Sequence, residues 1–176
     1  MTQIINIFGG PGVGKSTFAA ALFSLMKEKN ISCENLYEHA KILTWEKNSH
    51  RLSCQPYVFG QQLLLQTRLL GQVDYVITDS PLLLSVLYNK KYPETFNKSV
   101  VDIFNTFNNI NLLLRRKFEY IGNGRNETYY EAVKTDEDLN SILIKHNIKN
   151  KAIMIVRNNV TESARIVLNN ILNGVT

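Results

Sequence analysis

The chain has 176 residues, of which 44% are hydrophobic and 20% charged, a composition typical of one soluble globular domain with a substantial core. No apolar run reaches the roughly 20 residues of a membrane span, and no basic stretch followed by an apolar one marks a secretory signal. The formal net charge of +5 favours polyanionic ligands, nucleic acid among them, although no long basic run is present.

Strand-like and helix-like segments alternate along the chain. The predicted strands are 3–8, 32–37, 73–79, 110–114 and 152–156. The predicted helices are 17–29, 38–48, 56–70, 80–92, 94–107, 127–146 and 161–172, with Ser80 as the N-cap of the fourth and a polar turn at 48–50. This alternation predicts an α/β domain, in which helices cover both faces of a parallel sheet.

A glycine-rich loop between the first strand and the first helix matches G-x-x-x-x-G-K-[ST], the phosphate-binding P-loop. Its residues are Gly9, Gly10, Pro11, Gly12, Val13, Gly14, Lys15, Ser16 and Thr17. The glycines let backbone N–H groups surround phosphates, and the helix that follows adds the positive end of its dipole. Lys15 can reach the β- and γ-phosphates, and the Ser16 hydroxyl can ligate Mg²⁺. The loop therefore predicts a nucleotide site.

Charged residues follow the next three predicted strands, and in open α/β sheets ligands bind at that edge. Asp79 can hold Mg²⁺, or it can simply cap the helix before Pro81. Glu38 can accept a proton from an attacking hydroxyl or bind a substrate hydroxyl, or it can be a solvated acid in the first turn of a helix. Arg115 can pack near the nucleotide base and stabilise a transferred phosphoryl group. Arg125, in a loop rich in glycine and asparagine, is a second such arginine; surface ion pairing is the alternative for Arg125 and for Arg116.

The 56–70 helix carries a polar stripe of Tyr57, Gln61 and Arg68, with Gln62 beside it. Such a stripe can read a nucleobase, because an amide both donates and accepts hydrogen bonds; an ordinary solvated face is equally compatible. The opposite side is apolar and includes Leu63 and Leu70. Trp45 and the tyrosines are expected to pack rather than to stack on bases, and Cys33 and Cys54 are expected to be reduced thiols of a cytoplasmic protein.

These residues resemble those of known kinases. The segment 9–16 resembles the P-loop of nucleoside and nucleoside monophosphate kinases. Further features are shared with deoxynucleoside kinases and nicotinamide riboside kinase-like P-loop ATPases. They are Glu38, the helix with Tyr57, Gln61 and Gln62, the Asp79-Ser80-Pro81 turn, Arg115, and a lid bearing Arg125. Segments 38–41, 78–84 and 124–128 make the whole chain similar to small ATP-binding proteins common in tailed bacteriophages.

The resemblance implies one kinase-like domain over residues 1–176 with a lid at about 116–128. It also implies a five-stranded parallel sheet of order 2-3-1-4-5, ATP as donor, and Mg²⁺ bound by Ser16 and Asp79. The expected location is the cytoplasm, that of the host if a phage encodes the protein, and a homodimer is expected only by analogy. One departure is Asp-Ser-Pro where many nucleoside and thymidylate kinases have Glu-Arg-Ser or Asp-Arg-Tyr. The missing arginine favours an acceptor hydroxyl over an acceptor phosphate, unless Arg68 substitutes.

Three functions agree with this pattern. The first is a kinase of nucleosides, nucleotides or a related small acceptor, with Glu38 or Asp79 as the general base. The second is a kinase acting on a polynucleotide, at a 5′-hydroxyl or a modified base in DNA. The third is a nucleotide-dependent ATPase or switch with a protein partner. The chain lacks an Asn-Lys-x-Asp signature, an Asp-Glu pair after the third strand and a C-terminal helical domain, which disfavours a GTPase and an AAA-type motor.

Overall fold

A five-stranded parallel sheet forms the centre of the protein. The computed structural model describes residues 1–115, 128–148, 151–154 and 160–174. The strands are β1 (Gln3–Phe8), β2 (Cys33–Leu36), β3 (Tyr75–Thr78), β4 (Asn108–Arg115) and β5 (Lys151–Met154). Their order is β2-β3-β1-β4-β5, and each neighbouring pair is parallel. The predicted α/β class and strand order are confirmed.

Helices cover both faces of this sheet. The described residues form α1 (Lys15–Glu28), α2 (His39–Trp45), α3 (Ser49–Leu52), α4 (Gln55–Thr67), α5 (Leu84–Leu87), α6 (Glu94–Phe104), α7 (Tyr129–Lys145) and α8 (Val160–Leu172). Along β1, Ile5 and Ile7 pack with α1 and α8, whereas Phe8 packs with α5, α6 and α7 on the other side. A strand buried on both faces is apolar nearly throughout, as β1 is.

The segment after β3 differs from its prediction. A helix over 80–92 was expected, with Ser80 as its N-cap. Instead, the Ser80 N–H donates to Thr78 Oγ1 at 3.1 Å, and tight turns lead into the short α5. The first of these turns is closed by the Leu84 N–H, which donates to Pro81 O at 2.9 Å. Because the helix begins later, the Asp79 side chain is not used as its cap.

Two other predictions for the helices are corrected. The polar turn expected at 48–50 belongs to α3, whose N-cap Asn48 accepts a hydrogen bond from the Arg51 N–H at 3.2 Å. Helix α4 buries most completely a stripe that is mostly glutamine, whereas Leu63, Leu65 and Leu69 of the predicted apolar side are only partly buried against the core. The buried residues of α4 are Gln55, Phe59, Gln62 and Gln66, while Leu64 and Leu70 are exposed. Glutamines can face inward when their amides find partners there.

Among the described helices, none is both long and apolar enough to cross a membrane.

Candidate active site

The carboxyl ends of four strands lie at one edge of the sheet. Leu36 and Asn6 are both level with Thr78, and Phe8 is level with Leu113. The residues that follow β1, β2, β3 and β4 therefore leave the sheet side by side. This common edge, where parallel sheets bind ligands, therefore carries the P-loop, Glu38, Asp79 and Arg115.

The P-loop has the backbone that its glycines permit. Gly9, Gly12 and Gly14 have φ of 146°, 79° and 97°, values that other residues rarely adopt. A Cβ on Gly9 would also lie 2.6 Å from Val13 Cγ1 and 3.2 Å from Leu114 O, so the loop packs against the end of β4. Gly14 precedes the first residue of α1, and the loop therefore leads directly into a helix N-terminus.

Lys15 folds back over the loop. Its Nζ donates to Gly9 O at 2.7 Å and to Gly10 O at 3.1 Å, and the side chain is half-buried. These carbonyls hold the ammonium group beside the loop backbone, where a phosphate chain wrapped by the loop would lie. Ser16 and Thr17 are exposed in the first turn of α1, so both hydroxyls are accessible.

Asp79 directly follows the third strand and is buried. Only 8% of its surface is exposed, and Oδ1 has no hydrogen-bond partner in the described part of the chain. A buried carboxylate oxygen without a partner is energetically costly, and a bound cation relieves that cost. Carboxylate oxygen is also the ligand type that Mg²⁺ prefers. The Asp79 carboxylate and the accessible Ser16 hydroxyl are thus ligand types that fit the predicted Mg²⁺ site.

Glu38 precedes α2 in an extended backbone conformation, and its side chain does not cap that helix. The peptides on either side of it are held by Gln62, which is 4% exposed. Gln62 Oε1 accepts the His39 N–H at 3.2 Å, and Gln62 Nε2 donates to Tyr37 O at 3.5 Å. In this arrangement the Gln62 amide supports the backbone around Glu38, and its predicted contact with a nucleobase stays a prediction.

Replacing Gln62 by leucine is expected to destabilise the protein by about 1–3 kcal/mol, because the His39 N–H and Tyr37 carbonyl lose their partner. Urea unfolding of the variant measures this change in free energy. Gln61→Leu is the matched control for stability, since its side chain is half-buried on the adjacent position of α4. Equal stability of the two variants would contradict this role of Gln62.

The other residues of α4 predicted to bind the substrate lie towards opposite ends of the helix. At the first end, the Tyr57 ring lies 5.6 Å from the His39 ring and 5.7 Å from the Arg51 guanidinium carbon. Gln61 is one helical turn further on and half-buried. Arg68 follows the last residue of α4, close to Gly71, whose N–H donates to Thr2 Oγ1 at 2.8 Å.

Thr2 directly precedes β1, so this second end of α4 lies at the amino edge of the sheet. The structure therefore does not bring Arg68 to the P-loop edge, and the substitution of Arg68 for the missing arginine has no structural support.

Arg115 lies at the end of β4 and is exposed. Its Nη2 donates to Asn140 Oδ1 of α7 at 3.3 Å, and with Leu113, Leu114 and Asp136 it lines a cavity of about 210 Å³. Arg125 and nearly all of the predicted lid, 116–127, lie outside the described residues. The roles predicted for both arginines stay predictions.

Asp136 was not predicted to lie at this site. Its Oδ1 accepts the Gly10 N–H at 2.7 Å. The sequence did contain a signal, since Asp136 falls between Ala132 and Leu139 at helical spacing, on the buried face of α7. A carboxylate at a position that should be apolar indicates a specific polar partner.

The prediction that Trp45 packs inside the protein is wrong. The side chain is 74% exposed, and Tyr37 is 77% exposed. Helix α2 has a single buried residue, Leu43, and its last turn, which includes Trp45, is otherwise exposed.

The two cysteines are free thiols with different surroundings. The Tyr92 hydroxyl donates to Cys54 Sγ at 3.2 Å and, with a backbone hydrogen bond from Tyr57, lowers the pKa of the Cys54 thiol. Burial raises the pKa of the Cys33 thiol. A lower pKa means more thiolate, the reactive form, at neutral pH.

We expect iodoacetamide to alkylate Cys54 at least roughly tenfold faster than Cys33 at neutral pH, because Cys54 has both the lower pKa and the greater access. Peptide mass spectrometry of a time course measures both rates. Tyr92→Phe should slow alkylation of Cys54 and leave Cys33 unchanged. Faster alkylation of Cys33, or no effect of Tyr92→Phe, would refute this account.

Comparisons with known proteins agree with the fold. The family model AAA_28, described as an AAA domain, matches residues 4–162. Two structures of the deoxyadenosine kinase from M. mycoides are similar, one with the products dCMP and a flexible dCDP bound and the other with dATP bound. They are 16% and 17% identical to this chain, cover 97% and 96% of it and 99% of their own length, and each has a TM-score of 0.53. No curated protein gives a significant match.

The likeness to the deoxyadenosine kinase extends over nearly the whole of both chains, and at this identity it establishes the fold. The family match covers the P-loop and every strand of the sheet. The chain is therefore a small P-loop protein with a nucleoside kinase-like fold, and it belongs to the AAA_28 family of AAA domains.

Proposed function

We propose that the protein is an ATP- and Mg²⁺-dependent phosphotransferase that moves the γ-phosphoryl group to a nucleoside, a nucleotide or a related small acceptor. One observation carries the proposal: in the described part of the chain the buried Asp79 Oδ1 has no hydrogen-bond partner, and Asp79 lies at the same sheet edge as the loop that holds Lys15. Glu38 lies at that edge too, two residues after the end of β2, the strand that pairs with β3. A loop for the donor, an oxygen ligand for a cation and a further carboxylate are what phosphoryl transfer requires.

On the donor side, the P-loop residues 9–17 bind the triphosphate through backbone N–H groups, with Lys15 on the outer phosphates. Asp79 and Ser16 hold Mg²⁺, which when bound neutralises charge on the phosphate oxygens. Arg115, beside the cavity at the end of β4, adds positive charge next to the nucleotide. Lys15 and Arg115 together stabilise the charge that spreads over the transferred group.

On the acceptor side, Glu38 orients the hydroxyl and accepts its proton as the new phosphate ester forms, and Asp79 is the alternative base. Tyr57 and Gln61, on the part of α4 nearest Glu38, contact the acceptor. The related deoxyadenosine kinase structures contain dCMP, dCDP and dATP, which supports a nucleoside-like acceptor. The absence of an arginine in Asp79-Ser80-Pro81, which Arg68 does not replace, favours an acceptor hydroxyl over an acceptor phosphate.

The test is transfer of label from ATP carrying ³²P at the γ position. The protein is incubated with Mg²⁺ and, separately, with a panel of nucleosides, nucleoside monophosphates and DNA with free hydroxyls. We expect labelled product with one or a few small acceptors. Label transfer only to DNA would overturn the small-acceptor proposal, and ATP hydrolysis without any transfer would favour an ATPase that works with a protein partner.

A further inference from the structure

Asp136 is a charged residue on a helix face that is otherwise buried. Ala132, Leu139 and Leu143 of α7 are each at most 1% exposed, and Asp136 lies on the same face at helical spacing. Its Oδ1 accepts the Gly10 N–H at 2.7 Å, a short distance typical of a charge-assisted hydrogen bond. This contact joins two parts of the chain that are 126 residues apart.

Lys15 also contacts the backbone at Gly10, through the Gly10 carbonyl. The Gly10 carbonyl accepts from Lys15 Nζ at 3.1 Å, so Gly10 donates to Asp136 and accepts from Lys15. The Gly9 carbonyl, the other partner of Lys15 Nζ at 2.7 Å, belongs to the peptide group whose N–H is that of Gly10. A carboxylate that fixes this N–H therefore also fixes a carbonyl that holds Lys15.

Steric fit supports the specificity of this contact. A Cβ on Gly10 would collide with the Asp136 carboxylate and would lie 3.1 Å from Ala132 O. Only glycine lets the backbone of α7 approach the loop this closely. Glycine is therefore needed at position 10 for the close contact with α7. At Gly9, Gly12 and Gly14 it is needed for the positive φ angles of the loop.

We propose that Asp136 is a positioning residue of the phosphoryl-transfer site: it orients the peptide group between Gly9 and Gly10 and, through it, the ammonium group of Lys15. The inference rests on the proposed function for its catalytic meaning. It assigns Asp136 no contact with substrate. Without Asp136 the loop keeps its glycines but loses the partner that fixes its first turn, so ATP binding and turnover both suffer.

The experiment compares Asp136→Ala, Asp136→Asn and the control Asp138→Ala. Asp138 is exposed two residues further along α7, so its removal costs the same charge on the same helix. For Asp136→Ala we expect about tenfold weaker ATP binding by isothermal titration calorimetry, together with a lower kcat. Asp136→Asn should stay within about threefold of the unmodified protein, because the Asn carbonyl accepts the same N–H. Asp138→Ala should match the unmodified protein.

A second readout needs no nucleotide. In ¹H–¹⁵N correlation spectra of the free protein, the Gly10 amide should shift upfield in Asp136→Ala but stay near its original position in Asp136→Asn. Circular dichroism confirms that each variant is folded. Unchanged ATP binding and an unchanged Gly10 amide in Asp136→Ala would overturn the proposal, as would tighter ATP binding, which would identify the carboxylate as a competitor of phosphate.

The result for Asp136→Asn is also decisive. If it is as defective as Asp136→Ala, the negative charge rather than the hydrogen bond matters, and the positioning role is wrong. If the unmodified protein transfers phosphate to no acceptor, the proposed function fails, but the Gly10 shift and ATP affinity still decide the role of Asp136. The two failures are therefore distinguishable.

Discussion

Replacing Lys15 by alanine is expected to lower phosphoryl transfer by at least about a thousandfold, because the positive charge that meets the transferred group is lost. The fold should be unaffected. Lys15 Nζ donates to the carbonyls of the buried Gly9 and Gly10, so its removal is expected to lower stability slightly without changing the fold. The loop shape itself depends on glycine backbone angles and on the packing of Val13 against the core.

The measurement is single-turnover transfer of γ-³²P from ATP, with thermal unfolding to confirm the fold. Lys29→Ala is the matched control, since Lys29 is an exposed lysine at the other end of the same helix. It should retain normal transfer. Retained transfer in Lys15→Ala would refute the central role of the loop, whereas loss of the folded state would show that Lys15 is structural.

Replacing Asp79 by asparagine is expected to separate activity from stability. Mg²⁺-dependent turnover should fall by about two orders of magnitude or more, because a neutral amide is a poor cation ligand. The free protein should be as stable as before, or should melt at a temperature roughly 2–4 °C higher. The reason is that Asp79 Oδ1 is buried with no partner among the described residues, and a neutral group costs less there than a carboxylate.

Turnover as a function of Mg²⁺ concentration and the melting temperature without ligand are the two measurements. Asp74→Asn is the control, because Asp74 is an exposed acid just before the same strand. It should change neither quantity. Turnover near normal in Asp79→Asn would show that Asp79 does not hold the cation, and a strong loss of stability would mean that its carboxylate has a structural partner.

Much of the fold could be predicted from local patterns. One short stretch contains an apolar run, then glycines at fixed spacing, then a helical pattern. These three patterns predict β1, the glycine loop and the start of α1. Glu38 and Asp79 could be placed at one sheet edge because parallel strands end on the same side. The resemblance to kinases supplied the strand order, which the structure confirms.

Predictions that depend on which helix face is buried were less successful. In α4 the leucines suggested one inner face, but the structure buries Gln62, because its amide finds the backbone on either side of Glu38. Arg68 shares a helical stripe with Tyr57. The two lie about 16 Å apart along the helix, however, and Arg68 is therefore at the other edge of the sheet.

The sequence by itself determined the phosphate-binding loop and the acids after the second and third strands, because these are set by residue types at fixed short spacing. Only the tertiary structure decided that Asp136 contacts Gly10, that Gln62 holds the backbone around Glu38, and that Asp79 Oδ1 finds no partner within residues 1–115, 128–148, 151–154 and 160–174. Each of these depends on contacts between distant segments. Helical or strand periodicity describes one element at a time, whereas a hydrogen bond between elements depends on how both of them pack.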